Sequence, residues 1–189
     1  MNGWQHMIAG EEVKVAELRR IYALNRSRAE FPREVAALLE QLDSDIVWRA
    51  VWLMCRLAEA GALGDRELEV LAGGVDGSRH WAWRLMVCQL FSRCACPVSR
   101  REDVFPFLQD CLHDRRVIVR AWALTALWQF RDDQRFRAKI LAARREAEED
   151  AGKAMVARLR RLGGRKQSAR PHGARGRRGA KVRSEKSVP

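Results

Sequence analysis

Residues 112–127 read Leu112-His113-Asp114-Arg115-Arg116-Val117-Ile118-Val119-Arg120-Ala121-Trp122-Ala123-Leu124-Thr125-Ala126-Leu127. The stretch opens on turn chemistry, because the short carboxylate of Asp114 can take backbone N–H groups that a starting helix leaves unpaired. It continues with apolar residues at three- and four-residue steps, Val119, Ala123, Ala126 and on to Phe130, which is the spacing of one helix face. The same design recurs along the chain. Trp48-Arg49, Trp83-Arg84 and Val119-Arg120 are apolar–arginine pairs near the starts of apolar helices, 35 and 36 residues apart, with a weaker copy at Gly152-Lys153, 33 residues further on. Six residues before the four basic residues stand Asp43, Ser78, Asp114 and Ala147. A period of this length is that of helix pairs stacked as repeats. One pair cannot bury its apolar face alone, whereas stacked pairs bury a continuous one.

Around this segment the periodicity predicts helix after helix, at about 11–26, 33–42, 46–60, 66–73, 80–94, 102–112, 116–131, 134–147 and 150–162, with no strand-like alternation of useful length. The breaks have physical reasons. Phe31-Pro32 blocks one helix, and Pro32 can open the next. Asp43-Ser44-Asp45, Asp76-Gly77-Ser78 and His113-Asp114 are turn and capping chemistry. Gly61 and Gly64 end a helix.

The copies resemble the HEAT-repeat family, including its short bacterial HEAT-like variants. The third copy is the most similar, with a leucine-rich first helix, a turn Asp, then Val119-Arg120 and small or apolar residues at helical spacing. The first, Leu38-Leu39 through Asp43 to Trp48-Arg49-Ala50, is similar but carries Trp48 and Trp52 where smaller residues are usual. The second copy lacks the Asp, and the fourth lacks both Asp and Arg. The resemblance covers about 33–162. It implies an all-α fold, a short right-handed α-solenoid of about four helical repeats, behind an N-terminal segment and capping helix at 1–32. It also implies that Arg49, Arg84 and Arg120 bond the turn carboxylates Asp43 and Asp114 as a structural ladder. The other reading of the row, with Lys153 added, is a line of cations along a concave groove built by the second helices. That groove would bind phosphate or an acidic peptide. The resemblance is specific for architecture rather than function, and the function expected is a non-enzymatic scaffold whose concave face holds a protein partner. A looser similarity is to the DNA-alkylation-repair glycosylases, HEAT-like enzymes with aromatic and acidic residues in a cationic cleft. No Asp-Trp motif here carries over from them residue by residue.

Charge is unevenly spread. The chain has 36 Lys+Arg against 24 Asp+Glu, net +12. Residues 163–189 hold nine basic residues, Arg165, Lys166, Arg170, Arg175, Arg177, Arg178, Lys181, Arg183 and Lys186, and one acid, Glu185. Among Gly, Ser, Ala and Pro, such a stretch buries too little apolar surface to offset its ordering entropy, so a disordered basic tail is expected. It has two readings. One is a cationic arm for DNA or RNA, since phosphate attraction needs only charge and reach and Gly173–Gly179 resembles nucleic-acid-binding Arg-Gly segments. The other is a solubility tail.

Seven tryptophans are many for 189 residues. Trp48, Trp52 and Trp83 fall on the core stripe of their helices. Trp81 and Trp128 lie roughly opposite their stripes, about 160° and 180° away, which makes them inter-repeat contacts or exposed rings able to stack on a base or grip a partner. The apolar run Val51–Cys55 stops at Arg56, far short of the roughly 20 residues of a membrane helix. Glu11, Glu12 and Glu17 break up any signal-peptide core. No membrane association and a cytoplasmic place are therefore expected, with the five cysteines as reduced thiols. Cys94-Ala95-Cys96 is a single tight pair, with Cys88, Cys111, His80 and His113 elsewhere, where a structural zinc site shows two. No metal or cofactor is expected. His-Glu-x-x-His and Gly-x-Ser-x-Gly are absent, and Gly73–Gly77 lacks the ending of a phosphate loop, so no catalytic residue is nominated.

Overall fold

The computed structural model describes residues 3–10, 13–41, 43–77, 79–149 and 152–164. Every regular element among them is helical: α1 Gly3–Ile8, α2 Val15–Asn25, α3 Phe31–Ala37, α4 Ser44–Glu59, α5 Asp65–Gly73, α6 Trp81–Arg93, α7 Arg101–Cys111, α8 Val117–Leu127, α9 Gln134–Glu148 and α10 Lys153–Gly164. Short 3₁₀ turns follow α3 and α8 and precede α7.

The starts obey local chemistry. The Asp43 carboxylate accepts from the N–H groups of Asp45 (2.8 Å) and Ile46 (3.3 Å) at the head of α4. Asp114 accepts from the Arg116 N–H at 2.8 Å just ahead of α8, and Asp133 does the same for Arg135 at α9. Glu67 reaches back to the N–H of Gly64 at 3.0 Å. The Asp43 and Asp133 caps are each worth about 1 kcal/mol, whereas the Asp114 bond closes the turn ahead of α8. Pro32 sits in the first turn of α3, where its missing N–H costs nothing.

Contacts run in two rows. Helices α4, α6, α8 and α10 touch in succession, and α3, α5 and α7 do likewise, with α3 on α4 and α7 on α8 joining the rows. The main apolar cluster lies between them and extends into α1 and α2 through Trp4, Ile8, Leu18 and Ile21. Phe105, Phe130 and Phe136 tie α7, the turn after α8, and α9 together, with the Phe105 and Phe136 rings stacked at 4.2 Å. A smaller cluster, Ala121, Leu124, Ala147, Met155 and Leu162, holds α9 and α10 on α8.

The expected helix at 116–131 is not continuous. It changes at Trp128 to a 3₁₀ turn through Phe130, and Phe130 is buried in the core. The last helix runs to Gly164 rather than stopping at 162, so Gly163 and Gly164 belong to α10 and not to the tail. Residues 165–189, with all nine tail cations, lie outside the described residues. Among the described residues no helix is long and apolar enough to cross a membrane.

Candidate anion-binding site

Three of the four repeated cations are used as internal struts. Arg49 is 6% exposed. Its guanidinium donates to the carbonyls of Ile8 and of Gly10 (2.8 Å) and lies 3.7 Å from Asp45. Arg84 pairs with Asp110 at 2.7 Å and with Asp114 of the next helix pair at 3.3 Å. Arg120 donates to the carbonyls of Asp114 (2.9 Å) and Arg115 (3.2 Å). Asp114 therefore supports two arginines, one through its carboxylate and one through its backbone. The Asp43 carboxylate serves the N-terminus of α4. Only Lys153, at the head of α10, is exposed.

The two tryptophans placed off the stripes are half-buried, not free. Arg116 lies 4.5 Å over the Trp81 ring, with His80 at 5.5 Å. Arg144 and Arg131 lie 5.0 and 5.7 Å from the Trp128 ring. For Trp128, at the end of α8, the cause is geometric: α8 is contacted by α6, α7, α9 and α10, so the side away from its own stripe meets other helices. Of the stripe residues, Trp83 is buried edge-on against Phe107, while Trp48 and Trp52 are half-buried. Burial pushes the Cys55 and Cys96 thiols up to about 12, and raises Cys94 as well. Among the described residues no group of His, Cys, Asp and Glu could hold a metal ion.

A different set of residues, not singled out by the sequence, lines a cleft of about 550 Å3 between α6, α8 and α10: Ser92, Arg93, Trp122, Thr125, Arg158, Arg161 and Leu162. Trp122 is half-buried. The Arg158 guanidinium carbon lies over it, 3.3 Å from the ring centroid, and Arg93 approaches the same ring at 5.3 Å. Arg93 also pairs with Glu59 at 3.5 Å and donates to the Gln89 carbonyl. Arg158 and Arg161 have no hydrogen-bond or ion-pair partner among the described residues. Burial, and then the facing charges of Arg161 and Arg93, push the Arg158 guanidinium down from its ordinary value, although an arginine stays charged at neutral pH.

The Ser92 and Thr125 hydroxyls donate to the carbonyls of Gln89 (2.6 Å) and Ala121 (2.8 Å). The lining has no carboxylate, histidine or thiol, so the cleft offers charge, N–H forks and a π surface rather than proton transfer. A sequence signal for it was faint. Arg93, Trp122 and Arg158 come from three helices and share no repeat offset. Arg158 and Arg161 read as the solvated face of a terminal helix. Compared with known protein families, curated proteins and solved structures, the chain matches none.

Proposed function

We propose that the chain is a non-enzymatic interaction module of the HEAT-like kind, a short right-handed stack of about four helix pairs that holds an anionic macromolecular partner against its second-helix row. A protein partner would meet this face through acidic surface, and a nucleic acid through its phosphates. The basic residues 165–189 add electrostatic affinity for any such partner. The two rows of contacts and the Asp114–Arg84 link between neighbouring pairs support the repeat reading. One observation carries the functional reading: Arg158 and Arg161 line the Trp122 cleft without an acidic partner among the described residues, while Arg49, Arg84 and Arg120 are spent on structure.

The test is fluorescence anisotropy on the full chain with three labelled polyanions: polyglutamate, a heparin fragment and an oligonucleotide. Salt is varied from about 50 to 200 mM, a range over which multi-phosphate contacts lose orders of magnitude in affinity. Salt-sensitive binding to at least one polyanion, weakened by Arg158→Glu with Arg161→Glu, is the expected result. If none of the three binds, the reading is wrong.

A further inference from the structure

We infer that the cleft between α6, α8 and α10 is a site for single-stranded nucleic acid, with phosphate on the forks of Arg158 and Arg161 and a base against the Trp122–Arg158 stack. The inference rests on the reading above and narrows it to one ligand class.

A cluster of cations alone would suit any anion. The stacked pair distinguishes this site. With its guanidinium carbon 3.3 Å from the Trp122 ring centroid, Arg158 presents a flat outer face and an edge of N–H donors. A guanidinium plane and an indole are both surfaces on which bases stack, whatever their identity. An acidic peptide gains from the charge but has nothing that needs the ring. Arg161, three residues on along α10, lies on the same side of that helix and completes a two-pronged phosphate contact of the forked kind arginine makes.

The size agrees: about 550 Å3 falls in the range of roughly 300–1,000 Å3 typical of small-ligand sites. A duplex keeps its bases stacked inward and offers no face to this ring. A single strand exposes both base and phosphate. The cleft also holds three like charges together, of which Arg93 alone is compensated by a carboxylate among the described residues, and a phosphate relieves that repulsion. Further cations follow along the chain immediately after α10, beginning at Arg165.

The experiment uses the full chain and a labelled oligothymidylate. Arg158→Gln with Arg161→Gln is compared against Arg19→Gln with Arg20→Gln, two exposed arginines of α2. Net charge is equal in the two double variants, so nonspecific attraction is matched. The cleft pair is expected to weaken binding roughly tenfold at ~0.1 M salt, the size of one lost stacking and phosphate contact, and to flatten the log–log salt slope by about 0.7. The α2 pair should change affinity less than about twofold. In parallel, an oligonucleotide carrying 5-iodouracil is photo-crosslinked to the parent chain, and the adduct should map to the peptide containing Trp122.

Equal weakening by the two pairs, or adducts confined to 165–189, would overturn the site. Polyglutamate or duplex DNA bound as tightly as the single strand, with the same dependence on Arg158 and Arg161, would overturn the ligand class while leaving the broader anion-binding reading intact. If no polyanion binds, both readings fall together.

Discussion

Arg49 and Arg158 show how much a cation's surroundings decide its role. Arg49 is enclosed and satisfied by the Ile8 and Gly10 carbonyls and by Asp45, so it fastens the N-terminal segment to α4. Removing it strands two carbonyls. Arg49→Ala should destabilise the fold by about 3 kcal/mol, read as a lower urea midpoint. The amides of α1 and α2 should lose exchange protection first. A cost under ~1 kcal/mol would mean those carbonyls find water instead.

Asp133 is the acidic counterpart. Hydrogen bonds from the Arg135 guanidinium and from Arg101, at 3.0 and 3.1 Å, hold its carboxyl well below the usual carboxylate range. A depressed folded value means that its contribution is fully present above the unfolded value of about 3.9 and is lost as pH falls below it. The gap in thermal midpoint between the parent and Asp133→Asn should therefore be constant from pH 7 to about 5 and close progressively from pH 4 downward. A gap that does not depend on pH would show that the carboxylate's charge is not what matters there.

The periodicity of the sequence did identify Arg49, Arg84 and Arg120 as equivalent, and it kept both the strut and the groove reading open. What it could not report is where each side chain points. That depends on which carbonyl or carboxylate the fold brings within reach.

At the scale of elements, the end of α4 shows why some boundaries are readable. Gly61 has φ +68°. The Ala62 N–H donates to the Leu57 carbonyl at 2.9 Å and the Gly61 N–H to that of Ala58 at 3.1 Å, the paired bonds of a helix closed by a left-handed residue. Nothing lies within 4 Å of a Cβ built there, so the obstacle to a side chain is conformational. Gly61→Ala should cost about 1 kcal/mol, measured by chemical denaturation. No loss would mean the turn readjusts to negative φ.

Such ends are legible because glycine, proline and aspartate act within a few residues. The expected 46–60, 66–73, 80–94, 102–112 and 134–147 accordingly fall within two residues of α4, α5, α6, α7 and α9. The misses depend on distant partners. α1 is six residues long, too short to be stable by itself. It is held by burial of Trp4 and Ile8, by the Trp4 ring edge-on to Phe31 at 5.1 Å, and by the Trp4 indole N–H donating to Glu34. The 3₁₀ turn at Trp128 has no local breaker. Its Phe130 is placed by Phe105 and Phe136, from two other elements.

Across the whole molecule, stability is unevenly divided. The main cluster runs from Trp4 to Ile140, whereas α10 is held by the small cluster to which it brings Met155 and Leu162. The same helix carries Arg158 and Arg161 toward Arg93, so like-charge repulsion works against the docking that apolar burial drives. α10 should therefore open with a free energy well below that of α6 and α8, and an anion bound in the cleft should close it by mass action. Hydrogen exchange on the full chain tests this directly. Amides of α10 should exchange faster than those of α6 and α8, and saturating oligothymidylate should slow them in the parent but not in Arg158→Gln with Arg161→Gln.

Met155→Ala separates docking from charge. It leaves every arginine in place and removes a side chain that is 2% exposed, at a local cost of about 2–5 kcal/mol. α10 protection should fall while that of α4 and α6 holds, and oligonucleotide affinity should drop because Arg158 is no longer presented on Trp122. If Met155→Ala instead lowers protection everywhere alike, α10 unfolds only with the whole molecule. The cleft would then be a fixed feature of a single cooperative unit.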